Sequence, residues 1–128
     1  MATQLFPILL TRDLEPALAF YRDLLGGAVT YQFPGPDGEP AYVGLDIGVS
    51  HLGVGADPAV PDAPLPRPIS LWVYVDDCDA MVERLRAAGI AIREEPADQP
   101  WGERIARVAD PDGNEVVIGA GVASDSAG

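Results

Sequence analysis

A chain of 128 residues with 48% apolar side chains is long enough for one domain with a real core. Its formal net charge of -12 argues against nucleic acid or an anionic membrane as partner, because phosphate binding needs clustered Lys and Arg. No apolar run approaches the ~20 residues of a membrane span, and the acidity would favour a cationic ligand if it does more than keep the protein soluble.

An apolar stretch, residues 5–11, opens the chain as a predicted strand. A helix follows, with Asp13 as N-cap and Pro16 in the first turn, where a missing N–H costs nothing. Leu14, Ala17, Leu18, Tyr21, Leu24 and Leu25 recur at helical spacing, and Gly26-Gly27 stops the helix. Three short strands are expected near 28–33, 41–47 and 50–55, with Pro34-Gly35-Pro36-Asp37-Gly38 as a turn or flexible loop between the first two. A proline-rich stretch, 57–68, reads as a semi-rigid linker.

The order then repeats. A strand is expected near 69–75, a helix capped by Asp76 or Asp77 and closed by Gly89, and strands near 90–95, 103–109 and 115–119. Asp110-Pro111-Asp112-Gly113-Asn114 is a tight turn. The tail 122–128, rich in Ser, Ala and Gly, is expected to be disordered. Sliding the sequence by about 64 residues lays one half on the other without a gap, Asp13 on Asp77 and Asp46 on Asp110. The lone Cys78 lands on the second helix's apolar stripe as a small buried hydrophobe. With no basic segment ahead of a long apolar run at the N-terminus, a reducing cytoplasm is the expected compartment.

Each half is thus βαβββ, in an α+β fold. One helix covers one face of a sheet and leaves the other open. Two such modules, about 4–56 and 69–121, can form a single domain over 1–121 in which a cupped mixed sheet carries the helices outside. Strand alternation then selects the lining. Leu71, Val73 and Val75 go under the helix, with Ser70, Trp72 and Tyr74 opposite; Phe6, Ile8 and Leu10 are their equivalents. Leu52 and Val54 face the helix, leaving His51, Gly53 and Gly55 toward the cup with Tyr42, Glu115 and Val117.

Three motifs point to a family: Thr11-Arg12-Asp13-Leu14 leading into Ala19-Phe20-Tyr21-Arg22, Leu25-Gly26-Gly27, and Asp110-Pro111-Asp112-Gly113-Asn114. With the duplication they resemble the vicinal oxygen chelate superfamily, which includes glyoxalase I, extradiol dioxygenases, fosfomycin resistance enzymes and bleomycin resistance proteins. The resemblance spans residues 4–120. Metal enzymes of that superfamily place His, Gln or Glu on the first and last strands of each half, and the matching positions here are Phe6, Gly53, Ser70 and Val117. None ligates a divalent metal well, so no metal site and no cofactor is expected. His51 and Glu115 lie one strand period away.

Residues 6–13, the strand Leu71-Trp72-Val73-Tyr74-Val75 and the loop Gln99-Pro100-Trp101-Gly102-Glu103 are most similar to bleomycin resistance proteins. That resemblance implies an acidic, cytoplasmic homodimer that sequesters an aromatic, cationic antibiotic without a catalytic metal. Asp112 and the loop 34–40 depart from that subfamily. Trp72 and Trp101 could stack on a flat ligand, although Trp72 could also fill a core. Phe33, Tyr42, Tyr74, Phe6, Ile8, His51 and Glu115 complete the expected ligand-binding set. Asp46, Glu103 and Glu115 could complement a cation, and Arg104 and Arg107 an acidic group. The alternative is a glyoxalase-like lyase or isomerase using shifted metal ligands or acid–base chemistry by His51 and Glu115. No catalytic residue is assigned.

Overall fold

A computed structural model of the protein describes Met1, Gln4, residues 6–59 and residues 70–121. The chain divides into two compact units, Met1–Asp62 and Ala63–Gly128. The predicted linker lies largely outside the described residues, as do Leu5, Ile69 and the tail 122–128. Among the described residues no helix is long and apolar enough to cross a membrane.

The first unit runs β1 (Ile8–Thr11), α1 (Leu14–Leu18), a π-helical segment (Ala19–Leu24), β2 (Ala28–Pro34), β3 (Pro40–Ile47) and β4 (Ser50–Ala56). Its sheet order is β1-β4-β3-β2, with β1 parallel to β4 and the other pairs antiparallel. Val43, Leu45, Leu52 and Val54 point to the side buried with Ala17, Leu18, Phe20 and Tyr21. Burying each large side chain of this set contributes about 1.5–3 kcal/mol. Asp13 takes the N-cap position by its extended backbone, but its side chain makes no capping bond. Buried Thr11 holds the chain just before the helix: its hydroxyl accepts from the Asp13 N–H at 3.1 Å and donates to the Asp13 carbonyl at 2.9 Å. The predicted loop after Pro34 is a closed turn, held by Gly35 N–H to the Glu39 carbonyl at 2.7 Å and Gly38 N–H to the Gly35 carbonyl at 3.0 Å.

The second unit runs β5 (Leu71–Tyr74), α2 (Cys78–Ala87), β6 (Ile92–Asp98), β7 (Glu103–Ala109) and β8 (Glu115–Gly121), in the order β5-β8-β7-β6. Of the two cap candidates Asp77 is the one used, accepting from the Ala80 N–H at 3.0 Å. Gly89 ends the helix at φ 85°, and the Ile90 N–H reaches back to the Leu85 carbonyl at 3.0 Å, a closure that favours glycine. Cys78, Val82 and Leu85 are buried beneath α2 as expected, and burial pushes the Cys78 thiol up. The turn 110–114 is organised by one buried carboxylate. Asp110 accepts from the backbone N–H of Asp112 (2.9 Å) and Asn114 (2.8 Å) and from the Asn114 side-chain amide (2.8 Å).

The two modules match, but not without gaps. Gly53 corresponds to Val117, 64 residues on, because they pair with Ile8 and Trp72 in the parallel ladders. Gly44 corresponds to Arg107, only 63 on, because those residues pair with Gly53 and Val117. Two single-residue differences cancel. Gly26 follows Tyr21 by five positions where Gly89 follows Leu85 by four, the extra residue being absorbed by the wider π-helical turn, with Leu25 N–H to Phe20 carbonyl at 3.0 Å. The β3–β4 turn then has one residue fewer than the β7–β8 turn, with four between paired Asp46 and His51 and five between paired Ala109 and Glu115. The structural counterpart of Asp46 is therefore Ala109, not Asp110. The wider turn also explains why Phe20, outside the α-helical stripe, is fully buried edge-on against Tyr21.

Two outcomes follow from this packing. Asp110→Ala leaves three donors without their acceptor and should lower stability by about 2–3 kcal/mol, read from the urea midpoint, with Asp110→Asn costing less. The Cys78 thiol should resist an aromatic disulfide reagent in the native protein and react fully once urea has opened the second module.

Candidate functional site

Each sheet keeps one face clear of its helix, and the predicted binding residues distribute over those two faces. In the first module Phe6, Ile8, Leu10, Tyr31, Phe33, Tyr42 and His51 share the uncovered side. The row is possible because Gly44, Gly53 and Gly55 lie beneath it. A Cβ on Gly53 would run into the Tyr42 hydroxyl and ring, and one on Gly44 would come to 3.2 Å from the His51 imidazole. The rings thus lie down on bare backbone, a close approach that only glycine allows. Tyr31 and Tyr42 sit 6.2 Å apart between centroids, and Phe6 meets His51 edge-on at 4.6 Å. His51 Nδ1 is 2.9 Å from Asp46 Oδ1.

A β-bulge decides which side chains of β2 join this face. Val29 pairs with Leu45 on the helix side, but Tyr31 pairs with Gly44, so Thr30 is the extra residue. Without it, strict alternation would turn Tyr31 and Phe33 under the helix. The second module repeats the device: Ile92 pairs with Val108 and Glu94 with Arg107, which brings Glu94 to the uncovered side.

On the second module that side carries Ser70, Trp72, Tyr74, Glu94, Glu103, Ile105, Arg107 and Glu115. Val117 belongs to it by register and is nevertheless fully buried. One end of the face is an ion-pair chain. Arg107 donates to Glu94 at 3.2 Å and Glu115 at 3.0 Å, and the Ser70 hydroxyl donates to Glu115. The other end is aromatic. Trp72 and Tyr74 lie 6.3 Å apart, the Tyr74 ring rests over Gly119, and the Trp101 indole N–H donates to Glu103 at 2.8 Å. The Tyr74 phenol also hydrogen-bonds Glu103, which holds its proton above the ordinary tyrosine range. Trp72, Tyr74 and Trp101 remain 45%, 63% and 59% exposed.

Phe6, Ile8, Phe33, Tyr42 and His51 therefore share one face, and Trp72, Tyr74 and Glu115 the other, with Trp101 at its end. Arg104 and Arg107 separate. Arg104 turns to the helix side, with Asp79 at 2.9 Å and Asp98 at 3.1 Å, whereas Arg107 shares the uncovered side with Ile105. Neither is free for an acidic ligand. Sequence reasoning missed Tyr31, since nothing in the local pattern marks the bulge. It offered Glu103 as one of several carboxylates that could complement a cation and missed its bond to Trp101, although the Trp-Gly-Glu spacing across a turn was a usable signal. Phe6, Gly53, Ser70 and Val117, the positions that the resemblance matches to metal ligands, offer a phenyl ring, a bare Cα, a hydroxyl and an isopropyl group, a donor set that does not suit a divalent metal. Among the described residues no group of three or more His, Cys, Asp or Glu is placed to hold a metal ion.

The Glu103 contact has a spectroscopic signature. In an absorbance titration one tyrosine should ionise above the ordinary range, and in Glu103→Gln its titration should move back down.

The family model described as Glyoxalase/Bleomycin resistance protein/Dioxygenase superfamily matches residues 4–118. An uncharacterised protein of Mycobacterium bovis is 29% identical over 123 residues, 90% of this chain and 81% of that one. Among solved structures, the bleomycin resistance determinant encoded on the transposon Tn5 aligns with a TM-score of 0.68 at 26% identity, covering 94% of this chain and 99% of that one. A glyoxalase/bleomycin resistance protein/dioxygenase from Nocardioides aligns with a TM-score of 0.69 at 26% identity, covering 94% and 84%. With its two βαβββ modules and a family match over nearly its whole length, the chain belongs to the glyoxalase/bleomycin resistance protein/dioxygenase superfamily.

Proposed function

We propose that the protein is a metal-independent binding protein that confers antibiotic resistance by sequestering a bleomycin-like or other large aromatic natural product. The observation that carries this reading is the density of half-exposed aromatic rings on the uncovered sheet faces: Phe6, Tyr31, Phe33 and Tyr42 on one module and Trp72, Tyr74 and Trp101 on the other. Exposed apolar surface of this extent costs solubility unless something occupies it. Flat ligands stack on such rings, each pair contributing about 0.5–1.5 kcal/mol beyond area burial. The net charge of -12 favours a cationic ligand and raises its local concentration. The likeness to the transposon-borne bleomycin resistance determinant supports the same ligand class. No bond is made or broken, and protection comes from mass action. In this reading the protein works in the cytoplasm as a homodimer, the commonest symmetric assembly.

A second reading rests on the His51–Asp46 pair. A carboxylate at Nδ1 orients an imidazole and leaves Nε2 as a proton acceptor, which suits an isomerase or epimerase step. Glu115, tied to Ser70 and Arg107, is a poor second base. An activity screen that found turnover abolished in His51→Gln would favour this reading over sequestration.

The deciding measurement is a titration of the metal-stripped protein with bleomycin, followed by tryptophan fluorescence and calorimetry. Saturable binding near one ligand per chain, weakened about tenfold in Trp101→Ala and weakened by salt, is the expected result. No heat and no fluorescence change would remove bleomycin as the ligand.

A further inference from the structure

We infer that Glu103, Trp101, Tyr74 and Trp72 form a binding site for an alkylated organic ammonium ion. The argument begins with an inventory of carboxylates. On the uncovered face of the second module Glu94 and Glu115 are paired with Arg107; off that face Asp79 and Asp98 are paired with Arg104 and Glu83 and Glu95 with Arg86, while Asp77 and Asp110 accept from neutral N–H groups in their turns. On the uncovered face Glu103 differs: its side-chain partners among the described residues are the Trp101 indole N–H and the Tyr74 phenol, both neutral. Two neutral donors fix the carboxylate in place and leave its charge uncompensated. It is the one acidic group on this face presented between exposed aromatic rings.

The same bonds fix the rings. Trp101 sits in the turn 99–102, closed by the Gly102 N–H to the Gln99 carbonyl at 3.0 Å and by the Gln99 N–H to the Glu103 carbonyl at 2.7 Å. Gly102 there takes φ 100°, which an L side chain rarely adopts. Tyr74 lies against Gly119, whose missing side chain leaves room for the ring, and Trp72 stands 6.3 Å from Tyr74. Indole and phenol faces attract a cation through their quadrupole, most strongly for Trp. They cannot accept the directional hydrogen bonds that a primary ammonium brings, and Glu103 has already spent part of its accepting capacity on two donors. A cation clothed in methyl groups needs no such acceptors and gains contact with every ring, so the chemistry selects a tertiary or quaternary ammonium head over a primary amine. This inference rests on the reading of the aromatic face as a ligand surface, but not on which large ligand occupies it.

Choline is the probe, with ethanolamine and the uncharged neohexyl alcohol, in which carbon replaces nitrogen, as its comparisons. Choline should shift the Trp101 indole N–H resonance saturably. Glu103→Gln, with its native fold checked by the amide spectrum, should weaken choline by about tenfold, and Trp101→Phe, followed by calorimetry, should weaken it less. Ethanolamine should bind several times more weakly than choline, and the neutral alcohol should leave the resonance in place. Equal binding of the neutral alcohol, an unchanged affinity in folded Glu103→Gln, or no shift with choline would each overturn the site. Bleomycin binding unaffected by Glu103→Gln together with no choline shift would remove this site and leave sequestration standing. Choline binding without bleomycin binding would do the reverse.

Discussion

The structure depends on one geometric constraint: a four-stranded sheet has two faces, and each module owns a single helix. Helix packing buries Val43, Leu45 and Val54 on one side of the first sheet and Val108, Val116 and Ile118 in the second module. The other side must be dealt with by some other means. This chain populates it with aromatic rings laid over glycine and with carboxylates tied to arginine. Both tactics reduce the cost of an uncovered sheet face while keeping it available. The apolar core and the uncovered face are thus two sides of the same strands, and a residue shift of one along a strand exchanges them.

That exchange explains what the sequence could and could not disclose. Strands β3 and β4 pair without a bulge, so Leu52 and Val54 against His51, Gly53 and Gly55 were legible from period alone. The helix stops at Gly26 and Gly89 were legible from glycine's freedom at positive φ. What stayed hidden was single-residue irregularity. The bulge at Thr30 places Tyr31 and Phe33, and the π-helical turn places Phe20, yet both arise from tertiary fit rather than from any local preference. Asp13 makes no capping bond because the position that Asp77 caps in the second module, Ala80, is matched here by Pro16, which has no N–H to donate.

The candidate site divides along similar lines. The aromatic residues were visible as residue types on predicted strand faces. Their partners were not, since a hydrogen bond between Trp101 and Glu103 depends on how a turn closes. Charges misled more than rings did. Arg104 and Arg107 look alike in the sequence, and the register sends them to opposite sides of β7, where each is neutralised by two acidic neighbours. In a chain this acidic, arginine is taken up by local compensation, and on the uncovered face of the second module Glu103 stands outside it.

The cancelling one-residue differences between the modules bear on descent. The helix with the extra residue shifts the numbering of β2 and β3 by one against their sister strands, and the shorter hairpin downstream restores the count by β4. The two halves are consequently not interchangeable cassettes. Recombination between the copies with a crossover inside β2 or β3 would import one irregularity without the other and change the module's length by one residue, with each irregularity still absorbed where it arises. The wide helical turn and the short hairpin thus act as paired length markers, by which a segment's copy of origin can be recognised.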